Sequence, residues 1–245
     1  MRLIRVFVES ALAPAAHIET GGTAAAHMAR VLRLTAGDPV TLFNGDGNDY
    51  PARIVAIRSS RVEIEVLQRL PARPESPLAL TLVQGIARAE RMDLIMQKAT
   101  ELGVAAIQPV VTVRGVVRLD AKTTERKLTH WRGIVIAACE QCGRARLPQV
   151  AAPLPLPEWL ARPAPAAVQR LQLAVDAAQS LGYAAADARA IELLIGPEGG
   201  LDDDEQSSAA SAGYRGCSIG PRVLRTETAA ITALAVLQAI AGDLG

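Results

Sequence analysis

Beyond residue 78 the chain alternates short apolar runs with amphipathic stretches, and no other feature constrains its fold as much. Leu78–Ile86, Ala105–Val111, Leu171–Val175, Ile191–Ile195 and Cys217–Ile219 read as buried strands. Met92–Leu102, about Thr124–Cys142 and Thr226–Ala241 read as helices. Strands separated by helices can lie side by side in the same direction, so the pattern predicts an α/β fold with a mostly parallel sheet. In the long helix Leu128, Trp131, Val135, Ala138 and Cys142 fall on one face, and Gly143 is placed to end it.

Before residue 70 the pattern is different. Leu3–Val8, Val40–Phe43, Arg53–Ile57 and Val62–Leu67 are β-prone runs separated by turn signals, with one helix among them. Val62, Ile64 and Val66 alternate with Glu63 and Glu65, as in a strand with one wet face, and Asn44–Gly47 suits a turn. From Gln68 to Leu78 the periodicity vanishes among Pro71, Pro74 and Pro77, which reads as a linker. Two domains are therefore expected, residues 1–73 and 74–245. A second loop-rich stretch, 148–165, holds six prolines and a helical turn around Glu158–Ala161.

Composition narrows the classes of function. Half of the 245 residues are apolar, 21% are charged and the net charge is +1, which excludes a disordered chain. Aromatics are only 3%, so stacking platforms for single-stranded nucleic acid are not expected. The apolar stretch Ala229–Ala241 is too short to span a membrane, Arg5 and Glu9 interrupt any signal-like segment, and a cytoplasmic location is expected. Cys139, Cys142 and Cys217 are too few and odd in number for a disulfide framework, so reduced thiols are expected.

Two junctions carry the candidate chemistry. Ile195-Gly196-Pro197-Glu198-Gly199-Gly200 and Ile219-Gly220-Pro221-Arg222-Val223-Leu224-Arg225 each follow a predicted strand with a Gly-Pro step. Loops at the carboxyl ends of parallel strands bind ligands in open α/β sheets; two ordinary turns would look the same. Neither loop fits a dinucleotide fingerprint or a P-loop. The run Arg222–Thr228 places charges and hydroxyls between a strand and an apolar helix, where idle polarity is costly. Thr226 or Thr228 could equally be an N-cap, with Glu227 favourable in the first turn; Arg225 is harder to explain in that way. Cys139 and Cys142 form C-x-x-C without a second ligand pair, so a packed helical face is expected there and no metal. Gln141 and Arg144 lie off that face and could point toward a polar substrate. His17, His27 and His130 have no recognisable partner. Arg114–Arg146 carries eight Lys or Arg against three acids, which suits a polyanion or a merely solvated surface.

Taken together, five segments resemble one family: His27–Arg33, Gln97–Val104, Ala137–Arg144, Leu194–Gly200 and Gly220–Ala229. In this order they are similar to the bacterial 16S ribosomal RNA uridine-N3 methyltransferases of the RsmE type, in the SPOUT superfamily. The resemblance covers nearly the whole chain.

The resemblance implies a small PUA-like β-barrel at residues 1–73 that helps bind RNA. It implies a SPOUT-type α/β domain at 74–245 whose C-terminal part is tied in a trefoil knot. S-adenosyl-L-methionine would sit in the knot against Ile195, Gly196, Glu198, Gly199 and Gly200 of the first Gly-Pro loop. From the second junction Ile219, Gly220, Leu224, Arg225, Thr226 and Thr228 would join them. The reaction implied is methyl transfer to N3 of a specific uridine in 16S rRNA, in the 30S subunit, by a homodimer whose second copy completes the site. A sulfonium methyl is already electrophilic, so the protein must align it and shed the N3 proton. Arg225 could stabilise charge developing on the uracil oxygens, and Glu227 could orient Arg225 or accept the proton. Arg30 and Arg33 are candidates for phosphate contacts, beside Gln141 and Arg144. In one departure, Asp176-Ala177-Ala178 stands where relatives are expected to carry a proline turn. Asp176 is therefore left outside the expected site, and the third wall of the pocket stays open. The competing readings are a non-catalytic RNA-binding assembly factor and a transfer-RNA methyltransferase of the same superfamily.

Overall fold

The computed structural model describes residues 4–58, 61–115 and 120–245. Leu3, expected in the first strand, and Arg118, counted in the basic stretch, lie outside the described residues. The chain forms two compact units, one of residues 1–75 with 136–147, the other of 76–135 with 148–245.

In the first unit β1 (Arg5–Phe7), β2 (His17–Thr20), β3 (Pro39–Phe43), β4 (Asn48–Arg58), β5 (Arg61–Val66) and β6 (Leu70–Pro71) form one mixed sheet. Its order is β1-β3-β4-β5-β2, with β6 beside β4; β1 and β3 run parallel and the other pairs antiparallel. The alternation in β5 is real: Val62, Ile64 and Val66 are fully buried while Glu63 and Glu65 are not. A short α1 (Gly22–Ala26) continues into one π-helical turn at His27–Val31, whose Met28 enters the core. Residues 136–147 join this unit through specific bonds. The Phe7 amide donates to Glu140 Oε1 at 3.0 Å, and Arg144 Nε donates to Glu75 Oε2 at 2.9 Å.

The second unit is built on a parallel sheet. Its elements are β7 (Ala79–Gly85), α2 (Ala89–Glu101), β8 (Ala106–Val111), α3 (Ala121–Cys142, shared with the first unit), β9 (Gln149–Val150) and β10 (Leu154–Pro155). There follow α4 (Leu156–Leu160), β11 (Gln169–Leu173), α5 (Leu181–Ala184), β12 (Ala190–Ile195), α6 (Asp203–Ser211), β13 (Arg215–Cys217) and α7 (Thr226–Ala241). The strand order is β10-β8-β7-β12-β11-β13, with β9 beside β8 and every pair parallel. β12 lies between β7 and β11, and its run Ile191–Ile195 is buried throughout, as a strand covered on both faces must be. α7 buries Ala230, Ala233, Leu234, Leu237 and Gln238 along one stripe and packs on α2 and α5. Gln238 is inside without cost because it donates to Leu102 O at 2.8 Å and accepts from Ser76 Oγ at 2.6 Å.

The strand read from sequence at Cys217–Ile219 is β13 at Arg215–Cys217, and the sequence reading does not include α6, which no apolar stripe announces. Its only buried residues are Glu205 and Ala209, and its start is set instead by a capping box in which Asp202 and Glu205 satisfy each other's amides.

Candidate active site

The carboxyl ends of β11, β12 and β13 open on one cleft of about 440 Å³. The loop after β12 forms one wall. Gly196 cannot carry a side chain here: a Cβ would lie 2.9 Å from the Gly200 carbonyl carbon and the Leu201 nitrogen. One strand away, a Cβ on Gly85 would lie 2.6 Å from Pro197. The loop is then tied to α7, because Thr226 Oγ1 donates to Gly196 O at 2.7 Å while accepting from Gln84 Nε2 at 3.0 Å. Thr226, one of the two N-cap candidates, thus uses its hydroxyl on the cleft loop; Arg225 occupies the N-cap position with no side-chain cap bond.

Farther along that loop, Glu198 Oε1 accepts from the Arg88 amide and from Arg91 NH1, each at 3.0 Å. Burial alone would raise the Glu198 pKa; the Arg88 amide and the Arg91 guanidinium outweigh it and hold the carboxyl below its ordinary value. Arg114 lies over Gly199 and reaches the Gly199 and Leu201 carbonyls at 3.3 and 3.4 Å.

The opposite wall comes from the loop after β13, where Ile219, Gly220, Arg222 and Leu224 line the cleft. Gly220 has a φ of +122°, and Val223 lines the cleft while 82% exposed. The third wall is the start of the loop after β11, Ala174–Asp176. Asp176, left outside the expected site, is therefore part of the cleft.

The structure brings Ile195, Gly196, Glu198, Gly199 and Gly200 together with Ile219, Gly220, Leu224 and Thr226 in that single cleft. Arg225 and Thr228 are exposed and are not among its lining residues. Glu227 faces Arg91, with Oε1 3.7 Å from Nε, and no bond between Glu227 and Arg225 occurs among the described residues. Arg91 is the participant that sequence reasoning missed. It stands 107 positions from Glu198, and its one signal is a basic residue in the first turn of a helix, where the dipole prefers acids.

The expected RNA contacts all fall in the first unit. Arg30, Arg33 and Gln141 are exposed, with Arg33 in a left-handed backbone conformation, whereas Arg144 is engaged by Glu75. Cys139 is packed as expected, and burial pushes its thiol pKa up to about 12. Among the described residues no group of three or more His, Cys, Asp or Glu could hold a metal ion, and no helix is long and apolar enough to cross a membrane.

Comparison with known proteins decides the family. Residues 74–238 match the model of an RNA methyltransferase domain, and residues 20–67 that of an RNA methyltransferase PUA domain. The ribosomal RNA small subunit methyltransferase E of Mycobacterium tuberculosis is 36% identical over 85% of this chain and 80% of its own. The chain belongs to this family. A crystal structure of the Neisseria gonorrhoeae member bound to S-adenosyl methionine is 35% identical, covers both chains fully and superposes with a TM-score of 0.90. A Legionella pneumophila methyltransferase with bound SAM is 39% identical, again over the full length of both, with a TM-score of 0.94.

Proposed function

We propose that this chain transfers a methyl group from S-adenosylmethionine, seated in the cleft above β11, β12 and β13, to N3 of one uridine in 16S rRNA. As a member of the family it is an S-adenosylmethionine-dependent methyltransferase of small-subunit ribosomal RNA. The finer reading adds the N3 position, the 30S particle as substrate, the cytoplasm as location and a homodimer. The observation that carries it is the cleft itself, walled by a glycine loop that the fold holds rigid.

The residues present fit the cofactor. About 440 Å³ lies within the usual range of small-ligand clefts. Leu173, Ile195, Ile219 and Leu224 offer apolar surface for a flat base, and the glycines leave backbone groups accessible to polar ones. When bound, the cofactor supplies an electrophilic methyl group. The protein's part is to orient the uracil, keep water away from the reacting atoms and accommodate the departing N3 proton. Arg225, exposed at the start of α7, is assigned to the uracil oxygens as negative charge develops. Glu227 fits a holding role better than that of proton acceptor, because Oε1 faces Arg91 and Oε2 is enclosed by protein.

A trefoil knot is supported by the path of the chain. After β12 it crosses to β13 on the far side of β11, then returns as α7 to pack against α2 and α5. Val223, apolar at the edge of the cleft yet 82% exposed, supports a second copy closing the site. The division at residue 74 then separates a PUA-like RNA-binding module carrying Arg30 and Arg33 from the catalytic one, whose residues 136–147, with Gln141 and Arg144, pack with the former.

Nucleoside mass spectrometry of 16S RNA tests this, after incubation of purified protein and S-adenosylmethionine with 30S particles that lack the modification. Appearance of 3-methyluridine is expected. Its absence while cofactor binds would move the search to another RNA, and absence of both would favour the non-catalytic assembly factor.

A further inference from the structure

Arg91 stands between two acids that the chain supplies from distant positions. Its NH1 lies 3.0 Å from Glu198 Oε1 and its Nε 3.7 Å from Glu227 Oε1. Glu198 belongs to the loop that walls the cleft. Glu227 belongs to the first turn of α7, next to the Thr226 hydroxyl that grips Gly196. We infer that Arg91 is a positioning residue whose guanidinium ties the cleft loop, through Glu198, to the first turn of α7, through Glu227, and so keeps that wall in its cofactor-binding shape. The inference rests on the reading of the cleft as the S-adenosylmethionine seat.

Three observations carry it. The first is geometry: a planar guanidinium presents N–H groups on more than one edge in a fixed fork, so one side chain serves two carboxylates from different elements with Nε and NH1 already spaced for them. The second is charge. The three side chains retain only 30%, 21% and 13% of their exposure, and one cation stands between two acids. Glu198 Oε2 and Glu227 Oε2 are both enclosed without a partner among the described residues. Without Arg91 the two partly buried carboxylates would lose the cation that they share. The third is position. Thr226 and the Gly85–Pro197 contact already hold the near end of the loop, so Arg91 acts on its far half, Glu198–Gly200.

The test is a double-mutant cycle on the full chain, reading S-adenosylmethionine affinity by calorimetry alongside kcat and KM for 16S RNA. Arg91→Gln is expected to weaken cofactor binding about tenfold, the loss of a tie between partly buried charges, with KM for RNA unchanged. Arg91→Lys should recover part of that loss. Adding Glu198→Gln to Arg91→Gln should cost less than Glu198→Gln costs in the wild type, because the contact between them is already gone. Additive losses in the double variant would overturn the inference. So would unchanged cofactor affinity with a raised KM for RNA, which would make Arg91 an RNA contact. If Arg91→Gln does not fold, the same cycle built on Arg91→Lys decides. Wild-type protein that binds the cofactor but leaves 16S RNA unmodified contradicts the substrate reading alone, since the binding cycle still reports on Arg91. Wild-type protein that binds no S-adenosylmethionine contradicts the cofactor reading and this inference with it.

Discussion

The two Gly-Pro loops look alike in sequence and are held in opposite ways. Gly196 is confined: neighbouring backbone occupies the place of a side chain, a threonine hydroxyl grips its carbonyl, and two residues on Glu198 is bonded to both an amide and a guanidinium of the α2 start. Gly220 is unconfined, with nothing within 4 Å of where a Cβ would stand, and it is glycine because its φ of +122° suits no other residue. The next residues, Pro221, Arg222 and Val223, are all exposed. One dipeptide thus serves as a rigid wall after β12 and as a sharp, solvent-facing turn after β13. A preformed wall lets a ligand bind without first ordering the loop, whereas the open turn is where an RNA or a second chain can reach the site.

The largest effect should come from filling the confined position. Gly196→Ala must push backbone apart, which is expected to lower stability by about 1–3 kcal/mol in chemical denaturation and to abolish measurable cofactor binding. A variant with normal affinity would break the contrast at its strongest point. Thr226→Val keeps shape but removes the hydroxyl that donates to Gly196 O and accepts from Gln84 Nε2. A loss of about 1 kcal/mol is expected by the same measurement, since the tie to Gly196 O is removed while the buried Gln84 Nε2 keeps its bond to Gly85 O.

Much of this was legible before the structure, and the exceptions have physical causes. The ends of α7, Thr226 and Ala241, coincide with the sequence reading because an abrupt change from charged to apolar residues marks the start. β7, β8 and β12 were legible as apolar runs because a sheet covered on both faces leaves no polar alternation to confuse them. The run read as Cys217–Ile219, by contrast, is a strand at Arg215–Cys217 with two exposed residues, and β9 and β10 in the proline-rich stretch were not read as strands. β2 was not, since only every second residue of His17–Thr20 is even half-buried and its pairing with β5 is what makes it a strand. In the site, the loop residues were legible from their resemblance to relatives. Arg91, by contrast, owes its place to the fold's bringing α2 beside both the β12 loop and α7, and no local pattern records such a meeting. Asp176 was missed for a different reason: its segment departs from the expected turn, yet the backbone after β11 still reaches the cleft.

The remaining predictions sharpen the contrast with smaller effects. Gly220→Ala meets no neighbour, so its cost is backbone strain alone, about 1 kcal/mol, and it should change cofactor affinity more than it changes the unfolding midpoint. A cost equal to that of Gly196→Ala would show that the second loop is confined after all. Glu198→Gln probes the ties on the first loop through pH. The carboxyl is held below its ordinary value, so its ionised form contributes stability above roughly pH 4.3 and loses it as pH falls through the lower folded value. Denaturation curves of wild type and Glu198→Gln should therefore differ most near neutral pH and converge in acid. A gap independent of pH would mean that Glu198 only fills space.

Val223→Ser should have the smallest effect on stability. A side chain 82% exposed has little burial to lose, and the unfolding free energy of dilute protein should stay within about 0.5 kcal/mol of wild type. The same variant read by sedimentation asks what the open turn is open to. If a second copy covers Val223, the serine should weaken self-association while leaving the monomer's stability unchanged. Unaltered association would leave this edge of the cleft to the RNA, and the difference between the two loops would then be one between cofactor wall and substrate entrance.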